Sequence, residues 1–210
     1  MRFQVTPEEV EVFFTQAGTY RFARWGRPIV PVVFGVDDKT LSVVKGAIEA
    51  VVALAGHKMA ETDPELGANL MVFFLRDWSE LTAMPDLDRL IEGLGPLVDR
   101  LQAAGANQYR QFRFDEVGAI KACFVFIRMD AEMQKRAAED IALAQAAQSI
   151  LIWGGEAFAK RSPLAVASGV TVLRPDVADV IRAAYDPVMP VAASDRSHAL
   201  RLAARLRGGN

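Results

Sequence analysis

Two histidines, one cysteine and a few paired carboxylates are what this chain offers for metal, nucleophilic or acid–base chemistry. Catalytic zinc takes three protein ligands and keeps one position open for water, so the histidine supply is the sharpest test. His57 and His198 fall in separate predicted elements, and neither has a second histidine or a cysteine at ligand spacing. Any metal site would have to borrow carboxylates, so no metal or cofactor is expected. The expected roles are structural: His57 as a turn residue closing a helix, His198 as an exposed helical residue three positions after Asp195. Cys123 lies inside an apolar strand run, where a thiol is inert core rather than an activated thiolate. No Gly-x-Ser-x-Gly elbow occurs. Trp153-Gly154-Gly155 lacks both the spacing and the Lys-Ser or Lys-Thr tail of a phosphate loop, which leaves a helix stop.

Acid–base work needs two carboxylates at one spot with a cation nearby, which singles out Asp37-Asp38 and Glu139-Asp140. Asp37-Asp38 stands where a helix N-terminus favours an anionic cap. Glu139 follows Lys135 by four residues and Arg136 follows Glu132 by four, so this face also reads as a solvated ion-pair stripe. The densest cationic patch is Tyr20-Arg21-Phe22-Ala23-Arg24-Trp25-Gly26-Arg27, and Arg with Trp is a pairing enriched at binding hot spots. The competing reading has Phe22 and Trp25 anchoring an edge strand while the arginines extend outward.

Local signals give the frame that must position these residues. Thr6-Pro7-Glu8-Glu9 reads as a helix start, because Thr accepts from a free backbone N–H, Pro suits the first turn and Glu closes a capping box. That helix is expected to reach Gly18. Residues 29–34 are β-branched and apolar, and Pro31, which lacks an N–H, predicts a strand at a sheet edge. Asp37-Asp38 opens an amphipathic helix in which Leu41, Val44, Ala47, Ile48, Val51 and Val52 share a face and which Gly56 ends. Residues 69–76 read as a buried strand with a helical turn after Asp77. Residues 86–104 read as a helix interrupted at Gly95-Pro96, since Pro removes an intrahelical hydrogen bond. Residues 109–115 and 119–129, joined by Glu116-Val117-Gly118, read as a hairpin. An Ala-rich helix is expected over 130–148, followed by loop and by helices near 174–184 and 194–207. The order predicts one α+β domain over residues 1–210. Helices and strands build a mixed or antiparallel sheet in 1–130, and a long helix and a small helical C-terminal part fill 131–210.

Composition bounds the classes that remain. A chain of 210 residues and 23.0 kDa, 51% apolar and 24% charged, has the make-up of a globular protein able to bury about 70% of its unfolded surface. With 24 basic residues against 26 acidic ones it exerts no general pull on phosphate backbones or anionic lipid, so nucleic acid is not an expected partner. A lone cysteine forms no internal disulfide, which leaves the compartment open. The first twenty residues lack the ordered pattern of a secretory signal, and the longest strongly apolar run, 70–75, is far below the roughly 20 residues that span a bilayer. A cytoplasmic protein without a membrane span is expected, or a periplasmic or lipid-anchored one if the true start codon lies upstream.

Several stretches together resemble the DUF2927 proteins of bacteria, a family thought to have a zincin-like, metalloprotease-like fold. They are Arg24-Trp25 before the Pro-Ile-Val strand, Gly67-Ala68-Asn69 leading into Leu70-Met71-Val72, Cys123-Phe124-Val125 before an acidic helix, and Leu173-Arg174-Pro175-Asp176 with Tyr185-Asp186-Pro187. A zincin-like fold carries His-Glu-x-x-His on the helix after the sheet. With its glutamate aligned to that motif, Ala138-Glu139-Asp140-Ile141-Ala142 occupies it, and Gln148 falls where an extended version has a third histidine. Every metal-binding histidine is absent, so the resemblance implies the scaffold without the metalloprotease reaction. The leading expectation is a catalytically silent zincin-like domain binding a peptide or protein partner between its sheet and the helix over 130–148, with Arg24, Trp25, Asn69 and Glu139 as contacts. The alternatives are a carboxylate-dependent hydrolase with Glu139 as general base assisted by Asp140, and a structural or assembly protein recognised by an exposed apolar patch or a dimer face.

Overall fold

The apolar runs that read as strands assemble into one mixed sheet with helices on both faces. The computed structural model describes residues 5–208. In chain order the elements are α1 (Pro7–Phe13), β1 (Thr15–Gln16), β2 (Thr19–Tyr20), β3 (Phe22–Ala23), β4 (Pro31–Phe34), α2 (Asp38–Leu54), β5 (Leu70–Leu75), α3 (Ser79–Ala83), α4 (Leu87–Leu90), α5 (Leu94–Ala103), β6 (Gln108–Phe114), β7 (Ile120–Arg128), α6 (Ala138–Ser149), β8 (Leu164–Ala167), β9 (Val170–Leu173), α7 (Pro175–Ala184), β10 (Ala192–Ala193) and α8 (Ser197–Gly208). The fold is α+β. The main sheet runs β4-β5-β7-β6, with β4, β5 and β7 parallel and β6 antiparallel to β7 at one edge.

Strand alternation divides the core in two. Leu70 and Val72 of β5, with Cys123, Val125 and Ile127 of β7, face α2, α6 and α7. Phe73 and Leu75, with Ala122, Phe124 and Phe126, face α3, α4 and α5. The helices start where the sequence says they should. Thr6 Oγ1 accepts the Glu9 N–H at 3.2 Å while Glu9 returns a bond to the Thr6 N–H at 2.8 Å. Asp37 Oδ1 accepts the Thr40 N–H at 2.8 Å, which holds its carboxyl below the usual range. The small Ala142, Ala146 and Ala147 of α6 are buried, which lets this helix lie close against α2 and the sheet.

Four expectations need correction. The first helix ends at Phe13 instead of Gly18, because residues 15–20 turn back as the β1–β2 hairpin. The helical stretch over 86–104 breaks at 91–93, where Gly93 adopts a positive φ of 70°, and Pro96 sits harmlessly in the first turn of α5. The helix expected from Asp130 starts at Ala138: Asp130 Oδ1 instead ties the Glu132 and Met133 N–H groups, and a 3-10 turn over Met133–Lys135 leads to extended Arg136. Residues 164–173, read as loop, form the β8–β9 hairpin. The Trp153-Gly154-Gly155 break has a further reason, since a Cβ on Gly154 would collide with the Thr15 carbonyl oxygen.

Asn69 fastens the beginning of the sheet. Its Oδ1 accepts the Val30 N–H at 2.8 Å, and Nδ2 donates to the Pro28 carbonyl at 2.9 Å and to Asp63 Oδ2 at 3.0 Å. Its backbone carbonyl accepts the Cys123 N–H at 2.8 Å. Burial alone would raise the Asp63 carboxyl, but the Leu66 and Glu65 N–H groups, Asn69 and Arg27 together hold it below the usual range. Asn69→Ala strands two buried partners, Val30 N–H and Asp63, and is expected to cost about 2–4 kcal/mol of stability. Urea denaturation of the two proteins checks this, and a change below about 0.5 kcal/mol would contradict it.

Candidate functional site

The four residues expected to share a contact surface do not form one. Trp25 is fully buried: its Nε1 donates to the Ser149 carbonyl at 2.8 Å, and its N–H donates to Tyr185 Oη, which donates in turn to the Ile150 carbonyl. Asn69 is also fully buried, in the staple described above. Arg24 is half-buried over the Tyr185 ring. Glu139 is exposed in the first turn of α6, and Asp140 beside it is half-buried. Trp25 and Asn69 lie at the beginnings of β7 and β5, whereas α6 starts beyond the carboxyl ends of these strands. Lys135 pairs with Glu132 at 2.7 Å rather than with Glu139. Ile141, Ala142 and Ala146 seal α6 onto its neighbours. A cavity of about 310 Å³ at the strands' carboxyl ends is lined by Gly35, Asp37, Phe74, Arg136 and Ala138 but not by Glu139.

His198 is buried where an exposed residue was expected. Its Nδ1 lies 2.7 Å from Tyr20 Oη, its ring packs on Phe22, and Nε2 has no partner among the described residues. The apolar face of α8 rolls inward onto α1 and α7, which carries the ring with it. His57 follows α2 as expected and donates from Nε2 to the Arg27 carbonyl at 2.9 Å. Burial pushes the Cys123 thiol up to about 12. Among the described residues no group of three or more His, Cys, Asp and Glu is arranged to hold a metal ion, and no helix is long and apolar enough to cross a membrane.

Reactive groups are few, but the sheet has two edges and they differ. On β4 the Val30 carbonyl accepts from Leu70, so by alternation Ile29, Pro31 and Val33 turn their backbones outward. Ile29 is covered by residues 58–60, bonding to the Lys58 carbonyl and the Ala60 N–H, and Pro31 has no N–H to offer. A short strand with an outward proline is a blunted edge. On β6 the Arg128 N–H bonds to the Asn107 carbonyl, so Tyr109, Gln111 and Arg113 face β7. Gln108, Arg110 and Phe112 therefore turn their N–H and C=O groups away from the sheet, and no described residue bonds to them. This edge has seven residues and no proline.

The side chains of Gln108 and Arg110 lie under α6. Gln145, almost wholly buried, donates from Nε2 to Gln108 Oε1 at 2.6 Å and accepts at Oε1 from Arg110 Nη2 at 3.1 Å. Ser149 bonds back to the Gln145 carbonyl one turn later. Burial pushes the Arg110 guanidinium down to about 10. The sequence reading missed this group. The alternation through Tyr109-Arg110-Gln111 was visible, and Gln145 was a polar residue in an alanine stretch, but only the register brings them together. At the opposite edge, β4 and β5 with the α3–α4 segment frame an apolar groove of about 600 Å³ lined by Phe34, Met71, Phe73, Met84, Leu87 and Leu90.

No protein-family model matches the chain, and neither a curated protein nor a solved structure matches it.

Burial holds His198 near 4, with the Arg201 charge adding to the effect, against about 6.5 for a free imidazole. The folded state favours the neutral ring, so the stabilisation is full above pH 6.5 and is lost as the pH falls through 4. Tyr20, which faces the ring and whose hydroxyl burial pushes up, stays neutral across that window. Urea midpoints measured between pH 7 and 4 are expected to fall more steeply for the native chain than for His198→Phe. Parallel curves would contradict the assignment.

Proposed function

We propose that this chain is a non-catalytic domain that binds an extended segment of a protein partner along the outer edge of β6, beside α6. The observation that carries the reading is the open row of three N–H and C=O pairs on Gln108, Arg110 and Phe112. Long strand edges of this kind are a liability, which proteins blunt, cover or use. β4 shows the first solution. A strand added to β6 would satisfy each outward donor and acceptor, with the backbone supplying affinity and alternate side chains supplying specificity. The reading keeps the peptide-binding role that the zincin-like resemblance implies for the region of the sheet and the following helix. It moves the contact from beneath α6 to the strand at its side, and from Arg24, Trp25, Asn69 and Glu139 to Gln108, Arg110 and Phe112. A Glu139 general base gains no support from the cavity beside Ala138, which the exposed Glu139 does not line.

Selection of binders from a displayed library of random peptides, followed by hydrogen exchange of the complex, tests the proposal. The amides of Gln108, Arg110 and Phe112 are expected to exchange freely in the unbound chain and to become protected on binding. A selection without binders, or binders that protect only other surfaces, would contradict it.

One observation favours the assembly role. The groove beside β4 leaves Phe34 44% and Leu90 42% exposed, and an apolar concavity of this kind is a common subunit contact. Sedimentation of the native chain is then expected to show a dimer that Phe34→Asp converts to monomer. A native chain that remains monomeric at about 100 μM removes this reading.

A further inference from the structure

Other partly buried guanidinium groups have a carboxylate, a backbone carbonyl or a ring beside them, although Arg24 Nε and Arg128 Nε are, like Arg110 Nε, buried without a partner among the described residues. Arg174 holds Asp176, with Nε at 2.9 Å from Oδ1. Arg128 reaches Asp130 at 3.4 Å. Arg24 lies 5.2 Å from the Tyr185 ring centroid and donates to the Met189 carbonyl. Half-buried Arg110 has neither a carboxylate, a backbone carbonyl nor a ring beside its guanidinium among the described residues. Among the described residues its one hydrogen bond runs from Nη2 to the neutral Gln145 amide, and Nε is buried without a partner. A cation removed from water is normally compensated by an anion, because a single amide oxygen replaces little of its hydration.

Its place on the edge shows where such an anion would come from. Arg110 is the middle of the three outward-facing residues. A strand pairing antiparallel with β6 sets one residue directly opposite Arg110, its Cβ about 5 Å away on the same face of the sheet. The neighbours on that face fall opposite Phe112 and Gln108. The strand itself carries Arg110 and Arg113 and no acidic residue, and at its end the Arg21 guanidinium lies 3.9 Å from the Phe114 ring centroid. The edge is therefore basic in a chain whose net charge is −2.

We propose that Arg110 is a carboxylate-binding residue, taking an Asp or Glu side chain that the added strand sets opposite it. The carboxylate accepts from Nε and from the Nη2 hydrogen that Gln145 does not use, a charge-assisted fork. The inference rests on the edge-binding reading and supplies its chemistry. The bound segment is apolar opposite Phe112, acidic opposite Arg110 and polar opposite Gln108.

The test uses two synthetic peptides of about twelve residues, acetylated and amidated so that neither end supplies a carboxylate. Both carry Val two positions before the centre and Thr two positions after it, and they differ only in a central Glu or Gln. Fluorescence anisotropy measures each against the native chain and Arg110→Gln, with exchange of the β6 amides followed in parallel. The native chain is expected to bind the Glu peptide at least ~10-fold more tightly than the Gln peptide, and Arg110→Gln to lose that preference while still binding the Gln peptide. Equal affinities on the native chain, with β6 amides protected, would overturn the role of Arg110 and leave edge binding standing. Absence of binding and of β6 protection with both peptides would overturn edge binding itself and this inference with it. Because the Glu/Gln comparison lies in the ligand, it decides the matter even if Arg110→Gln does not fold.

Discussion

The structure depends on a single strand that is satisfied on every side. β7 bonds to β5 along one flank and to β6 along the other, and Ile120, Ala122, Cys123, Phe124, Val125, Phe126 and Ile127 are all essentially inaccessible. A strand buried on both faces demands a helical layer on each, and these are α2 with α6 and α3 with α5. The polar groups that β7 cannot absorb are passed outward to the edges of the sheet. There the fold must pair them, cover them or expose them to water.

The two edges resolve that demand differently. At β4, Pro31 removes a donor and the 58–60 segment covers Ile29, so little backbone remains to bind. At β6 the backbones of Gln108, Arg110 and Phe112 stay open, and the polar trio Gln108, Arg110 and Gln145 occupies the space beneath α6 where apolar packing would have been simpler. Buried polar clusters that are only partly satisfied are costly, and this one stands beside an unpaired backbone edge of the main sheet. The proposed partner binding rests on those two facts occurring together. The residues picked out for their reactivity serve other ends: Cys123 as core, His57 as a turn fastener and His198 as a buried ring held by Tyr20.

Much of the frame was legible because it rests on local rules. The Thr6–Glu9 capping box, the Asp37 cap, the edge position of the strand containing Pro31 and the β6–β7 hairpin each follow from a few neighbouring residues. What escaped was decided by tertiary contact. The start of α6 depends on Asp130 spending its carboxylate on a 3-10 turn, and the burial of His198 depends on which face of α8 meets α1. Trp25 and Asn69 were singled out as partner contacts, but both are buried and their hydrogen bonds serve the fold. Gln145 stood out only as a polar residue in an alanine stretch, since its importance comes from strand register and from a helix contact 35 residues away in sequence from Arg110.

The most direct measurement is a crystal structure of the chain with a Glu-bearing extended peptide bound. It should show a fifth strand hydrogen-bonded to Gln108, Arg110 and Phe112, with the glutamate carboxylate on the Arg110 guanidinium. A peptide seated instead in the groove beside Phe34 and Leu90, with the β6 edge left bare, would contradict the account.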